Sequence, residues 1–497
     1  MSRTLRALLC VFGTLAAPAH AALPPTLTDA DVAPLPWSTT PATDVQARAL
    51  AAQGRCAEAA RLVDAPGPGP RVVKAFLLDC ARDAAGVVAA TEGLAEALPT
   101  TAPLVSSLRA EALLTLERAP EALAALGCVA TPEARRLRAR ALREVGDHGA
   151  AAQAYKALIE SDVREDRALG LLGMARLTLD LGTRGFEAPM AAPATERLRE
   201  MYRELRCLPP DAPDFSKAPR TPAEVTALLD AIAWHSELAP PPKKAKPLGP
   251  LQEALLALRR LDVEHPNHWA AATGRKLAAQ QIAAEPALAP FYEARTPAER
   301  IARAERLLEV HRNEEALADL DALPKGPLEP PLQCKALAAR GKALKKLRKW
   351  EKARTALGEA AEVCFAAKSD QAPGALFHFA AALERLSDEK ASAAAYERLR
   401  ARFPKHTLAD DAGFFLIRHA LDDLKDWKAA RALAEKLVAQ NPEGDMVGES
   451  VFFVASAAMA DDRWRDAQAV LRLNDKLPPP YFTDHDAGRT EYWRARV

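Results

Sequence analysis

Asn313-Glu-Glu-Ala316, Trp350-Glu-Lys-Ala353, Glu389-Lys-Ala-Ser392, Trp427-Lys-Ala-Ala430 and Trp464-Arg-Asp-Ala467 repeat one local pattern. A turn comes first, then an aromatic or polar residue, a small residue three places on, and a larger one four further. The small residues Ala316, Ala353, Ser392, Ala430 and Ala467 are 37, 39, 38 and 37 positions apart. A fixed period of this size is the mark of stacked helical hairpins, because one hairpin cannot bury its apolar face alone. The small residues are expected where the second helix of a hairpin meets the first. The fold class that follows is all-α, a right-handed α-solenoid (superhelix) of such hairpins. Arrays of this kind usually hold, space or bind other molecules.

Outward from these copies, Thr296-Pro-Ala-Glu299 combines an N-cap, an N1 proline and a capping-box Glu, and opens the regular array. Pro404 and Pro442 end second helices and begin the links to the next hairpin. Val451-Phe-Phe-Val454 has strand-like composition but falls where the period requires a first helix, so helix is expected. Toward the N-terminus, Arg55-Cys-Ala-Glu-Ala59, Ala119-Pro-Glu-Ala122 and Gly146-Asp-His148, the last with Ala151, Tyr155 and Leu158, are irregularly spaced copies. The expected organisation is a signal peptide over 1–21, a Pro-rich leader over 22–44 and an irregular helical half over 45–207. A Pro-rich bridge follows over 208–250, with one helix opened by Thr221-Pro-Ala-Glu224. The regular array then runs over 251–497.

Apolar residues make up 49% of the 497 and aromatics only 5%, so Ala and Leu must build a closely packed helical core. A net charge of +1 gives no basic excess for nucleic acid. Arg3 and Arg6, the apolar run Ala7 to Ala17 and Ala19-His-Ala21 form an export signal, with cleavage expected after Ala21. That run is too short to span a bilayer, and no later segment is long enough, so no membrane insertion of the mature chain is expected. Cys10, with Leu8-Leu9 before it, does not read as a lipidation site. The other six cysteines are suited to disulfides in an oxidising compartment. Residues equidistant from a hairpin turn face each other. Cys334 and Cys364 are each 15 positions from Lys349, and Cys56 and Cys80 each 12 from Pro68, so these are the expected pairs. Cys128 and Cys207 remain by elimination.

The repeat resembles the tetratricopeptide family in its turn, its small residue, the Tyr155 or Tyr396 four places later and the link proline. Its step exceeds that family's 34 residues. The last quarter is also similar to the superhelical domain of soluble lytic murein transglycosylases, which cleave peptidoglycan glycan strands. The stretches that carry this likeness are Arg400-Ala-Arg-Phe-Pro-Lys-His-Thr-Leu-Ala-Asp-Asp-Ala412, Asn441-Pro-Glu-Gly-Asp445, Arg463-Trp-Arg-Asp-Ala-Gln468 and Tyr492-Trp-Arg-Ala-Arg496. The resemblance implies a scaffold that positions an active site on peptidoglycan; a free-standing periplasmic adaptor for protein segments is the alternative. That family's catalytic part carries Glu-Ser and then Gly-Leu-Met-Gln. Glu449-Ser450 is present without the second motif and lies inside a repeat helix, so no catalytic residues are assigned on this chain. The chain reads as a helix in progress from Glu491, with Tyr492 and Trp493 needing cover, so a continuing chain or a partner is expected there.

Three further groups have simpler readings. Glu264-His-Pro-Asn-His268 could suggest a metal, but Pro266 breaks the helix, and Asn267 is expected to cap the next one. Lys342, Lys345, Lys346, Arg348, Lys349 and Lys352 could meet an anionic polymer, but are expected as a solvated turn at a helix C-terminus. Trp350, Trp427 and Trp464 share a repeat position and are expected as packing wedges. No phosphate loop or Ser/His/Asp arrangement appears, and no cofactor or metal is called for.

Overall fold

The computed structural model describes residues 36–183, 249–477 and 492–496, and these are helical with no strand among them. The export signal, the Thr221 helix and most of the leader and bridge lie outside the described residues. The chain forms two compact units, 1–294 and 295–497.

In the first unit, α1 (Pro41–Ala52), α2 (Cys56–Leu62), α3 (Pro68–Cys80), α4 (Ala84–Ala90) and α5 (Leu94–Ala97) precede the longer α6 (Ala102–Thr115). Then come α7 (Ala119–Leu126), α8 (Pro132–Glu144), α9 (His148–Ile159) and α10 (Arg164–Thr183). After residues 184–248, α11 (Pro250–Glu264), α12 (Trp269–Ala284) and α13 (Ala289–Glu293) complete the unit. Thr40 caps α1, and Pro41 occupies its first turn, so the helix begins inside the stretch read as leader. The Thr-Pro signature that marks Thr296 is present there too. Helix α11 packs on α10, which ties residues 250–294 to this unit, whereas the sequence reading joined them to the C-terminal array. That segment is helical without the repeat period, so the pattern had nothing to assign it by.

The second unit is a run of five hairpins: α14 (Pro297–Glu309) with α15 (Asn313–Asp321), α16 (Pro330–Lys346) with α17 (Trp350–Ala366), and α18 (Gln371–Arg385) with α19 (Glu389–Arg402). After these come α20 (Leu408–Arg418) with α21 (Trp427–Gln440), and α22 (Val447–Ala460) with α23 (Trp464–Leu471). Each first helix also packs on the first helices of neighbouring hairpins, making a continuous row. Thr296 and Glu299 form the expected capping box on α14, with Glu299 N donating to Thr296 Oγ1 at 3.2 Å and Thr296 N to Glu299 Oε2 at 2.8 Å.

The period has a local cause. His311, Arg348, Ser387, Lys425 and Asp462 all have positive φ, between 53° and 64°, and recur with the same spacing as the small residues. Each sits one residue before a closing bond that ends the first helix in the left-handed manner. Five positions after it comes the small residue, fourth in its helix. Ala316, Ala353, Ala430 and Ala467 are fully buried and Ser392 is 4% exposed. Ser392 is accommodated because its Oγ donates to Ala380 O on the facing helix at 3.0 Å. The links repeat as well: Asn441 Nδ2 donates to Pro404 O of the preceding link at 2.9 Å.

Both expected hairpin disulfides are formed, Cys56–Cys80 and Cys334–Cys364. Cys128 is also disulfide-bonded, and its expected partner Cys207 lies outside the described residues.

Candidate functional site

One hairpin departs from the rule. In four of the five, the residue after the left-handed position donates to the carbonyl five residues back: Arg312 to Leu307, Lys349 to Leu344, Asp388 to Leu383 and Arg463 to Ala458. In the fourth hairpin Asp426 N reaches six back, to Ala420 O at 2.8 Å. The extra residue is absorbed by a π turn, His419–Asp423, closed by Leu424 N on His419 O at 3.1 Å. Such insertions frequently mark functional sites.

The π turn forms one wall of a cleft of about 200 Å³ between the α18–α19 and α20–α21 hairpins. Glu384 and Arg385 line it from the end of α18, Glu389 and Tyr396 from α19, and Phe415 and Arg418 from α20. His419, Asp422 and Asp423 line it from the turn. His419 Nδ1 lies 2.8 Å from Asp423 Oδ2. Arg418 stands 3.6 Å from Glu384 and 3.8 Å from Asp422. Desolvation, and then the charges of Asp423 and Glu384, push the Glu389 carboxyl above its usual range. Glu389, His419 and Asp423 each offer a ligand atom, all within 4.8 Å of one another. Tyr396 is 2% exposed, stacks on Phe415 at 5.1 Å, and its buried hydroxyl has no hydrogen-bond partner. Burial and the Glu384 charge hold that phenol well above its ordinary pKa.

A row of half-buried rings crosses the first helices beside this cleft. Phe377 of α18 lies 5.8 Å from Phe415, Phe415 lies 5.8 Å from Phe414, and Phe414 lies 5.7 Å from Phe453 of α22. A second acidic trio, Asp410, Asp411 and Asp445, has a structural explanation. Asp410 accepts from Met446 N at 3.0 Å at the start of α22, and Gly444 leaves it room, since a Cβ there would fall 2.4 Å from its carboxylate. Burial, with Asp410 and Asp445 nearby, raises the Asp411 pKa to about 6.

The residues singled out from the sequence lie elsewhere. Ser450 is fully buried in α22 with its Oγ donating to Met446 O at 2.7 Å, which removes it from any cleft. His268, not Asn267, caps α12: its Nδ1 accepts from Ala270 N at 3.1 Å, because the turn after α11 runs one residue further than expected. The lysine-rich turn is largely solvated as expected, with Lys346, Arg348, Lys349 and Lys352 exposed, but it is also partly tied down. Lys346 donates to Leu308 O at the end of α14, and Lys345 Nζ lies 3.0 Å from His378 Nδ1. Burial and Lys345, Lys342 and Lys346 push the His378 pKa down to about 3. Of the tryptophans, Trp427 is the wedge, 9% exposed with its indole donating to Val454 O at 3.2 Å. Trp464 is 42% exposed, so the shared repeat position does not give it the same burial. Trp493 packs on the core of the last hairpins, and Arg494 pairs with Asp475 at 2.7 Å, while Tyr492 stays exposed.

The cleft was not foreseen, yet a signal exists. Pro404 to Ala430 spans 26 positions and Pro442 to Ala467 spans 25, so one residue is extra before the Lys425 turn.

No protein-family model matches the chain, and no curated protein matches it. Among solved structures, the yeast Tom70 aligns over 92% of this chain and 95% of its own at 11% identity, with a TM-score of 0.31. The Cut9–Hcn1 assembly of the APC/C aligns over 91% and 96% at 13% identity and TM-score 0.28, and the P58(IPK) TPR domain over 86% and 97% at 11% and 0.23. At these scores the likeness adds nothing to what the helix packing itself establishes: an all-α helical-repeat fold. None of the described helices is long and apolar enough to cross a membrane.

Proposed function

We propose that this chain is an exported, periplasmic scaffold that binds peptidoglycan, or a protein associated with it, along the row of first helices in its second unit. The observation that carries the reading is that row: α14, α16, α18, α20 and α22 stand side by side, with Phe377, Phe415, Phe414 and Phe453 half-buried along three of them. Half-buried aromatic rings spread along an extended row of helices suit sugar rings or peptide side chains better than one small molecule in a deep pocket. The export signal expected over residues 1–21, the two disulfides and the resemblance of the last quarter to a murein-enzyme superhelix support the cell-wall setting. The scaffold positions a partner or substrate and performs no cleavage itself.

The test is incubation of the pure chain with murein sacculi, followed by pelleting and analysis of released muropeptides. Co-pelleting without release is expected, and Phe414→Ala with Phe453→Ala should weaken it. Anhydro-sugar release by the pure chain would overturn the non-catalytic claim. A second reading, a free-standing periplasmic adaptor, is favoured by the acidic cleft, where Glu384, Glu389, Asp422 and Asp423 outnumber Arg385 and Arg418 and would suit a cationic peptide. Failure to co-pellet, together with capture of a defined basic peptide, would establish that reading in place of the first.

A further inference from the structure

We propose that the cleft holds a divalent first-row metal ion of the zinc class, ligated by Glu389, His419 and Asp423, which ties the α18–α19 hairpin to the α20–α21 hairpin. The donors converge from two hairpins: Glu389 is the first residue of α19, and His419 and Asp423 are the two ends of the π turn. Their ligand atoms lie within 4.8 Å of one another, close enough for one ion to draw them in. An imidazole with two carboxylates suits zinc, manganese or iron rather than calcium, and three protein ligands leave a coordination position for water.

Two observations beyond the cluster point to a ligand. Tyr396, on the same cleft, is 2% exposed, and its hydroxyl has no partner. A buried hydroxyl in that state normally has a water or another acceptor beside it, and a metal-bound water would supply one. The second observation is the charge balance. Among the described residues the Arg418 guanidinium pairs with Glu384 and Asp422, and no Lys or Arg pairs with Glu389 or Asp423. Apart from His419, no cationic side chain pairs with the Glu389 and Asp423 carboxylates that converge here, an arrangement that a dication would balance. The π turn then has a purpose. A one-residue insertion, found in this hairpin and not in the other four, places His419 and Asp423 on the Glu389 side. A metal here would fix the angle between two adjacent hairpins beside the aromatic row.

The experiment uses the full mature chain, untagged and stripped with a chelator, titrated with Zn²⁺ by calorimetry, with Co²⁺ absorption as an independent readout. One tight site per chain, visible d–d bands from a nitrogen–oxygen site and a raised melting temperature are expected. Second-shell changes alone cost about 10–100-fold in metal affinity, so His419→Ala and Glu389→Gln should weaken binding by at least about tenfold. Both sites are partly exposed, and retained helicity would show that the variants fold. Asp445→Asn, in the other acidic trio, should leave the affinity unchanged. No tight Zn²⁺ binding, binding undiminished in both His419→Ala and Glu389→Gln, or tighter binding of Ca²⁺ than of Zn²⁺ would each overturn the proposal.

Discussion

A buried small residue at the fourth position of each second helix of the second unit, alanine in four of the five hairpins and Ser392 in the other, sets how closely the two helices of a hairpin approach. Ala353, Ala430 and Ala467 have no exposed surface, so added methylenes must displace the facing helix. Replacing each with Leu should cost about 1–3 kcal/mol by overpacking. Thermal melts of the three variants check this, and unchanged midpoints would show that the interface tolerates volume there. A second effect belongs to the first unit. Burial, reinforced by Asp79 and Glu133, raises the Glu111 pKa to about 7. An unfolded Glu titrates near 4.5, so between that value and about 7 the folded chain holds more protons than the unfolded one. This contribution to stability is therefore present at low pH and lost as pH rises through about 7. Glu111→Gln should stabilise the chain at pH 8 relative to wild type and leave the difference small near pH 4. Denaturant midpoints across that range measure it, and a constant offset would sink the assignment.

The hairpin was the element most legible in the sequence, because its turn, its small residue and its cysteines all depend on distance from one point. Counting outward from Lys349 was enough to pair Cys334 with Cys364, and the bond closes a segment with a sequence separation of 30. A loop of that size implies about 3–4 kcal/mol of stabilisation in the chain-entropy account. The double variant Cys334→Ser, Cys364→Ser should lose that much, read from denaturant unfolding under oxidising conditions, with no loss expected when wild type and variant are compared fully reduced. The less legible features were those in which a local rule is broken. The π turn at His419 adds one residue before the Lys425 turn, but the resulting small-residue spacing of 38 falls among the other steps of 37 and 39 and so looks ordinary. The cleft joins Glu389 to His419 and Asp423, 30 and 34 positions away, a proximity set by how two hairpins pack and not by any motif. His268 displaced Asn267 as a cap because imidazole Nδ1 can accept from a backbone N–H as a carboxamide does.

At the scale of the whole chain, the two units have different kinds of order. The second follows a period, and each hairpin leans on the next from Ile301 to Leu477. The first has shorter helices of uneven length and a core that runs from Leu113 through Tyr155 to Leu258 and Leu288, which brings α11 back onto α10. Periodicity could therefore place the hairpins of the second unit but could not find where the first one ends. Since the buried clusters of each unit are drawn from its own residues, the boundary at Ala294 and Arg295 should be a point where the chain can be divided. In a solenoid, stability is close to a sum over repeats and their nearest neighbours, so five intact hairpins should suffice for folding. A fragment covering 295–497, produced under oxidising conditions, is expected to be helical by circular dichroism, to melt cooperatively and to form the Cys334–Cys364 bond. A fragment beginning at 251 should gain no stability over it, because α11 to α13 pack within the first unit. A fragment from 251 that is markedly more stable than one from 295 would return those helices to the C-terminal array.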